Sequence, residues 1–192
     1  MLNQLILKNR SYRRFFENIP VSRDDLLEMI GNARLSASAR NMQTLKYLIS
    51  NNPETNNRMF PCLAWAGYLK EWQGPQPGER PSAYIVMLHD KQLADSYFCD
   101  DGIAAQSILL TAVEKGFGGC ILGSVKKKEL ADILTIPSNL EILYVIALGK
   151  PSETVVIEEV KDGDIRYWRD TNQVHHVPKR SLEEIIFGEL CL

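Results

Sequence analysis

The spacing of hydrophobic residues predicts helices in four parts of the chain. In VSRDDLLEMIGNARL, Ser22 is placed to cap a helix whose apolar side chains recur every three or four positions. DDGIAAQSILLTAVEKG has the clearest helical pattern, with Asp100 or Asp101 as its predicted cap and Gly116 at its end. Two shorter helices are predicted in VKKKELADIL and SLEEIIFGEL.

Short apolar runs between the helices predict strands instead. They are bounded by turn residues, and an almost continuous apolar run of this length is typical of a buried strand. Four strands are expected, in LKYLIS, AYIVMLHD, GGCILG and LEILYVIALGK. Because strands alternate with helices, the chain is expected to belong to the α/β or α+β class.

Three further segments have weaker patterns. Residues 52–69 predict a capped helical stretch that Pro61 interrupts, and the proline- and glycine-rich residues 70–82 predict irregular chain. Residues 152–180 are polar and have no strong period, so we expect an arm that lies on another surface, such as that of a second subunit. The whole chain, residues 1–192, is expected to form one domain.

The composition restricts the kinds of partner that the chain can have. It contains 22 Lys and Arg residues against 24 Asp and Glu residues, and its formal net charge is −2. Duplex nucleic acid is bound by neutralising many phosphates, so this balance argues against a nucleic-acid partner and favours a small anionic ligand. No apolar run reaches the roughly 20 residues of a membrane helix, and no leader pattern is seen, so we expect a cytoplasmic protein without a membrane partner.

Most standard catalytic and cofactor motifs do not occur in the sequence. GFGGCILG fails the dinucleotide-binding pattern, because its sixth position is Ile121 and its glycines follow a predicted helix. The four cysteines form no C-x-x-C pair and the three histidines form no H-E-x-x-H pair, so no metal site is expected. Cys120 can be a nucleophile or a small core residue, and its apolar neighbours favour the core.

Two clusters of basic residues remain, one near each end of the sequence. NRSYRRFF contains Arg10, Ser11 and Arg13, and HHVPKRSLEE contains Lys179 and Arg180. Each cluster alone is more often a solvated surface. Together they match a phosphate monoester, because arginine forks pair with its oxygens, lysine supplies a point charge and serine a neutral donor. This interpretation requires a fold that brings the two ends together, within a subunit or across a dimer.

Five segments in order along the chain resemble the nitroreductase family of flavin mononucleotide (FMN) enzymes. They are NRSYRRF, SASARNMQT, DDGIAAQSILLTAVEKGFGGCILG, IALGKP and VPKRSLEEII. The resemblance implies an α+β fold with a mainly antiparallel central sheet flanked by helices, in an intertwined homodimer whose core contains the helix around residues 105–110. The chain departs from the family pattern at Asn9, at residues 38–45 around the second motif, and at Ile121, where tryptophan is common.

The same resemblance implies a set of residues that bind FMN, while no side chain is expected to be catalytic because the flavin carries the chemistry. The phosphate and ribityl end of FMN is assigned to the two basic clusters, which are Arg10, Ser11 and Arg13 with Lys179 and Arg180. The flavin ring or ribityl chain is assigned to Asn41 and Gln43 of the polar loop. The ring edge near N5 is assigned to the backbone of Gly118, Gly119 and Cys120, where the glycines have no obstructing side chains. Phe15 and Phe16 are expected to anchor the basic arm in the core.

The implied activity is transfer of hydride from NADH or NADPH, through FMN, to a small electron-poor acceptor such as a nitroaromatic or a quinone. A segment at about 67–82 is expected to form a lid, with Tyr68 and Trp72 as aromatic contacts to the acceptor, unless Trp72 only packs a surface loop. The alternative function is an FMN-binding module that sequesters or regulates without reductase turnover.

Overall fold

A computed structural model describes residues 1–190 of the chain. Six α-helices, two short 3-10 helices and seven strands are defined in it. The α-helices are α1 (Leu2–Lys8), α2 (Arg23–Leu35), α3 (Pro53–Met59), α4 (Asp100–Glu114), α5 (Lys127–Leu134) and α6 (Leu182–Ile185). The strands are β1 (Leu45–Ser50), β2 (Ala83–Asp90), β3 (Gly118–Leu122), β4 (Leu140–Gly149), β5 (Val155–Glu159), β6 (Trp168–Arg169) and β7 (His175–Lys179).

The centre of the molecule is a four-stranded antiparallel sheet with the strand order β1-β2-β4-β3. The two inner strands, β2 and β4, are buried along most of their length, as their apolar sequences predict. Ile85 of β2 lies between Ile49 of β1 and Ile146 of β4. Each inner strand therefore pairs on both edges. Its residues are almost all apolar because side chains on both faces of the sheet are buried in the core.

Helices cover both faces of this sheet. Because side chains alternate across a strand, Ile85 and Met87 face α2 and α4, while Tyr84 and Val86 pack on the other side with residues of α3 and α5. Ser22 caps α2 through a reciprocal bond with Asp25, as its sequence predicts. The α+β class and the mainly antiparallel sheet are confirmed.

The predicted cap of α4 is wrong. Cys99 is the N-cap residue, and no side chain caps this helix. The buried carboxylate of Asp100 instead accepts hydrogen bonds from the Ser38 hydroxyl at 2.6 Å and the Ala39 N–H at 2.9 Å. Asp100 therefore fixes the polar loop before β1, while Gly116, with φ +78°, ends the helix region as predicted.

Residues 152–180 contain a small sheet that the sequence analysis did not predict. Its strand order is β5-β7-β6, with β5 parallel to β7 and β6 antiparallel to it. Its strands pair with each other, and the expected placement of the segment on another surface, such as that of a second subunit, stays a prediction. Residues 70–82 contain neither helix nor strand, as predicted, and the C-terminal helix α6 is shorter than expected at four residues.

No helix within residues 1–190 has the length and apolar character needed to cross a membrane.

Candidate functional site

The basic arm, residues 9–16, is held against the core by backbone hydrogen bonds. Ser11 forms a parallel bridge with Gly119 of β3, and the Tyr12 N–H donates to the Gly119 carbonyl at 3.0 Å. Phe15 is fully buried, whereas Phe16 is 47% exposed, so only the first of the two predicted anchors enters the core. The bridge and the buried ring fix the positions of the residues between them.

A cavity of about 320 Å³ lies where this arm meets α4, β3 and β7. Three of the residues that line it are cationic, and none is acidic. The cationic residues are Arg10 and Arg13 from the arm and Lys179 from β7. The two basic clusters of the sequence thus meet within one chain. A cavity with this charge is suited to an anionic group.

Neutral residues complete the lining of this cavity. They provide a hydroxyl, amides, ring nitrogens and an apolar wall. They are Asn9, Ser11, Gln106, Leu109, Gly119, Ile121, Tyr167, His175 and Val177. Ser11 therefore lies with Arg10 and Arg13, as predicted, and the backbone of Gly119 reaches the same cavity.

Arg13 is only 9% exposed, and its guanidinium is held by three groups. Its Nη1 donates to the Ser11 carbonyl at 3.1 Å and lies 3.1 Å from Nε2 of His175. Its Cζ lies 4.7 Å from the centre of the Tyr167 ring. The side chain is therefore fixed before any ligand binds.

Arg10 uses one guanidinium nitrogen to bind helix α1, which ends at Lys8, and leaves another nitrogen without a partner. Nη2 donates to the Ile6 carbonyl at 2.7 Å. Within the described part of the chain, the buried Nε atoms of Arg10 and Arg13 have no hydrogen-bond partner. Buried polar groups are normally paired, so these two N–H groups are candidates to bind a ligand oxygen.

Arg180 is not brought to the cavity. Its Nη1 pairs with Glu184 of α6 at 3.0 Å, and it is absent from the lining. The reason lies in the strand period: successive side chains of β7 point to opposite faces, so Lys179 faces the cavity and Arg180, directly after it, does not.

Glu153 holds the basic arm in place through the arm's backbone. Its carboxylate is 2% exposed, accepts hydrogen bonds from the backbone N–H groups of Arg13 and Arg14, and pairs with Arg169 at 2.8 Å. Arg169 in turn lies 4.3 Å from the centre of the Trp72 ring. One buried carboxylate thus links the arm to β6, although the sequence analysis gave Glu153 no role.

Gly118 and Gly119 are required by packing within the protein. A Cβ atom at Gly118 would lie 2.5 Å from the Tyr12 ring, and one at Gly119 would lie 2.5 Å from the Ala147 carbonyl oxygen. Cys120 is 3% exposed in the core, and burial raises the pKa of its thiol, which keeps it protonated. The structural interpretation of Cys120 is therefore supported over the nucleophile.

Asn41 and Gln43 lie apart from the cationic cavity. Both have positive φ, 55° and 52°, and Gln43 Nε2 donates to the Asn41 carbonyl at 3.2 Å. Gln43 lines a separate cavity of about 150 Å³ together with Tyr47 and Asp100. A single chain therefore does not bring these two predicted FMN contacts to the predicted phosphate contacts.

The two predicted aromatic contacts have different surroundings. Tyr68 is half exposed and its ring lies 4.9 Å from that of Tyr167. Tyr167, together with Arg13, also lines a second cavity of about 210 Å³ beside the first. Trp72 lines neither cavity; it packs on Arg14 and Arg169 and against the core beneath the sheet, which favours the packing alternative.

His175 was not predicted as a residue of the site. The two adjacent histidines were excluded as metal ligands because neighbouring side chains diverge. The same reasoning, carried along the strand HHVPK, would have grouped His175 and Val177 with Lys179, because alternate residues share a face. All three line the cationic cavity.

Comparison with known proteins gives one consistent result. A profile of the nitroreductase family matches residues 6–150. An Archaeoglobus fulgidus protein whose name contains the words NAD(P)H nitroreductase is 26% identical over 167 residues, which cover 83% of this chain and 90% of that protein.

Solved structures of proteins with related names have a fold similar to that of this chain. An FMN-dependent nitroreductase from Clostridium difficile is 22% identical, with a TM-score of 0.67 over 85% of this chain and 94% of that one. The NADPH:FMN oxidoreductase of Vibrio harveyi, solved with NAD⁺, is 23% identical, with a TM-score of 0.63 over 79% of this chain and 69% of that one. With the profile match over most of its length, the chain belongs to the nitroreductase family.

Proposed function

We propose that this protein is an FMN-dependent oxidoreductase that transfers hydride from NADH or NADPH to a small electron-poor acceptor, such as a nitroaromatic or a quinone. The observation that carries the proposal is the meeting of Arg10, Arg13 and Lys179 at one cavity in a member of the nitroreductase family. Named relatives support the cofactor: the Clostridium difficile protein is called FMN-dependent, and the Vibrio harveyi protein an NADPH:FMN oxidoreductase.

The residues of the cavity fit the phosphate end of FMN. A phosphate monoester carries nearly two negative charges and several acceptor oxygens, which require donors and cations. The unpaired Nε atoms of Arg10 and Arg13 supply two donors within the described chain, and Lys179 adds a third charge. Charge-assisted hydrogen bonds of this kind are about twice as strong as neutral ones.

The chain's residues would bind and orient the cofactor, while bound FMN supplies the hydride chemistry. Arg10, Arg13 and Lys179 would hold the phosphate, and Ser11 would add a hydroxyl donor. The β3 backbone at Gly119 and the side chain of Leu109 would form the wall beside it.

The second cavity is a candidate for the acceptor and the nicotinamide. It shares Arg13 and Tyr167 with the first cavity and extends to residues 64–67 before the irregular segment. At its edge the Tyr68 ring lies against that of Tyr167, tilted by 51°, so Tyr68 remains a proposed acceptor contact. We assign no such role to Trp72.

A homodimer would complete the FMN site. Asn41 and Gln43 lie away from the cationic cavity of their own chain, so a second subunit is needed if they are to contact the same flavin. The segment after β7 exposes large apolar side chains that a partner would cover. They include Leu182, Ile185, Ile186, Phe187 and Leu190.

Anaerobic mixing of the FMN-loaded protein with NADH or NADPH tests the proposal. Loss of the oxidised flavin absorbance, followed by its return when a nitroaromatic or quinone is added, is the expected result. A protein that binds FMN but leaves it oxidised with both nicotinamides would instead be a binding module without turnover. A protein that does not bind FMN would contradict both functions.

A further inference from the structure

We propose that His175 is a positioning residue whose neutral imidazole fixes the guanidinium of Arg13 for the phosphate of the flavin. This inference rests on the proposed function, because it concerns how the same cavity recognises FMN. It adds a residue that contacts Arg13 and lines the cavity, and that carries no charge itself.

The chemistry of the contact defines the protonation state of His175. Nη1 of Arg13 lies 3.1 Å from Nε2 of His175, and both side chains are buried. A guanidinium has five N–H donors and no acceptor, so Nε2 must accept. The ring proton therefore lies on Nδ1, which is buried and has no hydrogen-bond partner within the described chain. An imidazolium could not accept, and it would place two cations in contact.

The surroundings of His175 keep its ring neutral. Burial lowers the pKa of His175 to about 4, and the charges of Arg13, Arg169 and His176 act in the same direction. At neutral pH the ring is thus available as an acceptor. Its position is also fixed, because its backbone N–H donates to the Thr154 carbonyl at 2.9 Å and its ring lies 5.2 Å from that of Tyr167.

This arrangement leaves one edge of Arg13 for the ligand. The Ser11 carbonyl and His175 both occupy Nη1. Among residues 1–190, neither Nε nor Nη2 of Arg13 has a hydrogen-bond partner, so the Nε and Nη2 edge can pair with two phosphate oxygens. A guanidinium that is held in place loses less conformational freedom when it binds, which increases affinity for the phosphate.

Two substitutions separate this role from general packing. His175→Gln keeps a side-chain oxygen that can accept from Arg13, whereas His175→Leu keeps the bulk and removes the acceptor. The flavin-free full-length proteins are titrated with FMN and with riboflavin, which lacks the phosphate, by quenching of flavin fluorescence. The ratio of the two affinities reports on phosphate recognition alone.

We expect His175→Leu to weaken FMN binding about tenfold with riboflavin binding unchanged, as for the loss of one hydrogen bond to a charged group. His175→Gln should retain the preference for FMN. In the background of Arg13→Ala, His175→Leu should have no further effect on the ratio, because His175 acts through Arg13. An unchanged ratio in His175→Leu, or an equal loss of FMN and riboflavin, would overturn the inference.

A measurement on the unaltered protein is independent of whether the leucine variant folds. ¹⁵N NMR of labelled histidine, with the His175→Gln protein used for assignment, should give the neutral ring with the proton on Nδ1 near pH 7. A charged ring or a proton on Nε2 would refute the contact described above. If the unaltered protein itself bound FMN and riboflavin equally, the phosphate site of the proposed function would fail, whatever the state of His175.

Discussion

Arg13 is nearly buried, and no carboxylate of the described chain pairs with its guanidinium. The groups that hold the guanidinium are neutral. They are a carbonyl, an imidazole and the face of a tyrosine ring. A buried cation normally requires an opposite charge, since its hydration is lost. The absence of a carboxylate at this guanidinium within the described chain leaves its charge for a ligand, which is what a binding arginine requires.

Replacement of Arg13 by lysine tests the fork geometry at the residue scale. The substitution would keep the charge, but a single ammonium cannot reproduce the planar pair of donors, so Arg13→Lys should weaken FMN binding at least about tenfold. Arg166→Lys is the matched control, because Arg166 is exposed and pairs only with Asp164 within the described residues. Fluorescence titration measures both. Equal affinities for FMN in the two variants would show that the fork is unimportant.

The lowered pKa of His175 predicts how stability depends on pH. The unfolded histidine takes up a proton near pH 6.5, whereas the folded one does so only near pH 4, so stability is lost as the pH falls through this window. Between pH 7 and pH 4.5 this amounts to about 2–3 kcal/mol. Urea unfolding at both pH values should show that loss in the unaltered protein and a smaller one in His175→Gln. Equal losses in the two proteins would contradict the buried neutral ring.

At the residue scale, the sequence predicted which charged residues line the cavity better than it predicted the contacts that hold them in place. Arg10, Arg13 and Lys179 were identifiable because their residue types suit a phosphate. The acceptor role of His175 was not, because it depends on the position of Arg13, about 160 residues away, which only the folded chain determines. Phe16 was misjudged for a similar reason: the arm's path buries one ring and leaves the next outside.

At the scale of elements, the basic arm has no helix or strand of its own and depends on Glu153. Glu153→Gln would leave Arg169 without its buried counter-charge and would replace a carboxylate that accepts from two backbone N–H groups. Breaking a buried pair in this way typically costs about 3–5 kcal/mol. We expect that loss in the free energy of unfolding, measured with urea.

The control for this experiment is an ion pair on the surface. Glu129 pairs with Lys126 at 3.5 Å, and both side chains are more than half exposed. Glu129→Gln should change the free energy of unfolding by less than about 1 kcal/mol. If Glu153→Gln were as mild as Glu129→Gln, Glu153 would not be what holds the arm.

The elements that were predicted correctly are those with a strong local pattern. Strands β2 and β4 are long apolar runs, and α2 has both a cap and a period. The sheet of β5, β6 and β7 was missed because its strands are short and mixed in polarity, and because β5 pairs with β7 rather than with the next strand in the sequence. The cap of α4 was wrong because a tertiary contact with the loop at Ser38 engages Asp100.

At the scale of the whole molecule, the exposed apolar segment after β7 predicts association. Phe187 is fully exposed, so Phe187→Asp should weaken or abolish a homodimer that buries it. Leu93→Asp is the control, because Leu93 is also exposed but lies in the turn after β2. Light scattering after size exclusion measures the mass of each. A monomeric unaltered protein, or a dimer unaffected by Phe187→Asp, would contradict this prediction.

The sequence predicted that the site requires the two basic clusters to meet, but it could not show that the fold brings them together. Two clusters separated by most of the chain serve one ligand only if the fold joins them. The arm joins β3 through Ser11 and Gly119, and β7 brings Lys179 to the same cavity. These are pairings between distant segments, which no local pattern encodes. The separation of Gln43 from that cavity is likewise visible only in the fold.

The most direct test of the central claim compares FMN with riboflavin on the unaltered, flavin-free protein. The two ligands differ only in the phosphate that Arg10, Arg13 and Lys179 are proposed to bind. Only FMN can form the several charge-assisted contacts to the phosphate, so it should bind at least about 100-fold more tightly than riboflavin in a fluorescence titration at low salt. Equal affinities for the two flavins would contradict the account.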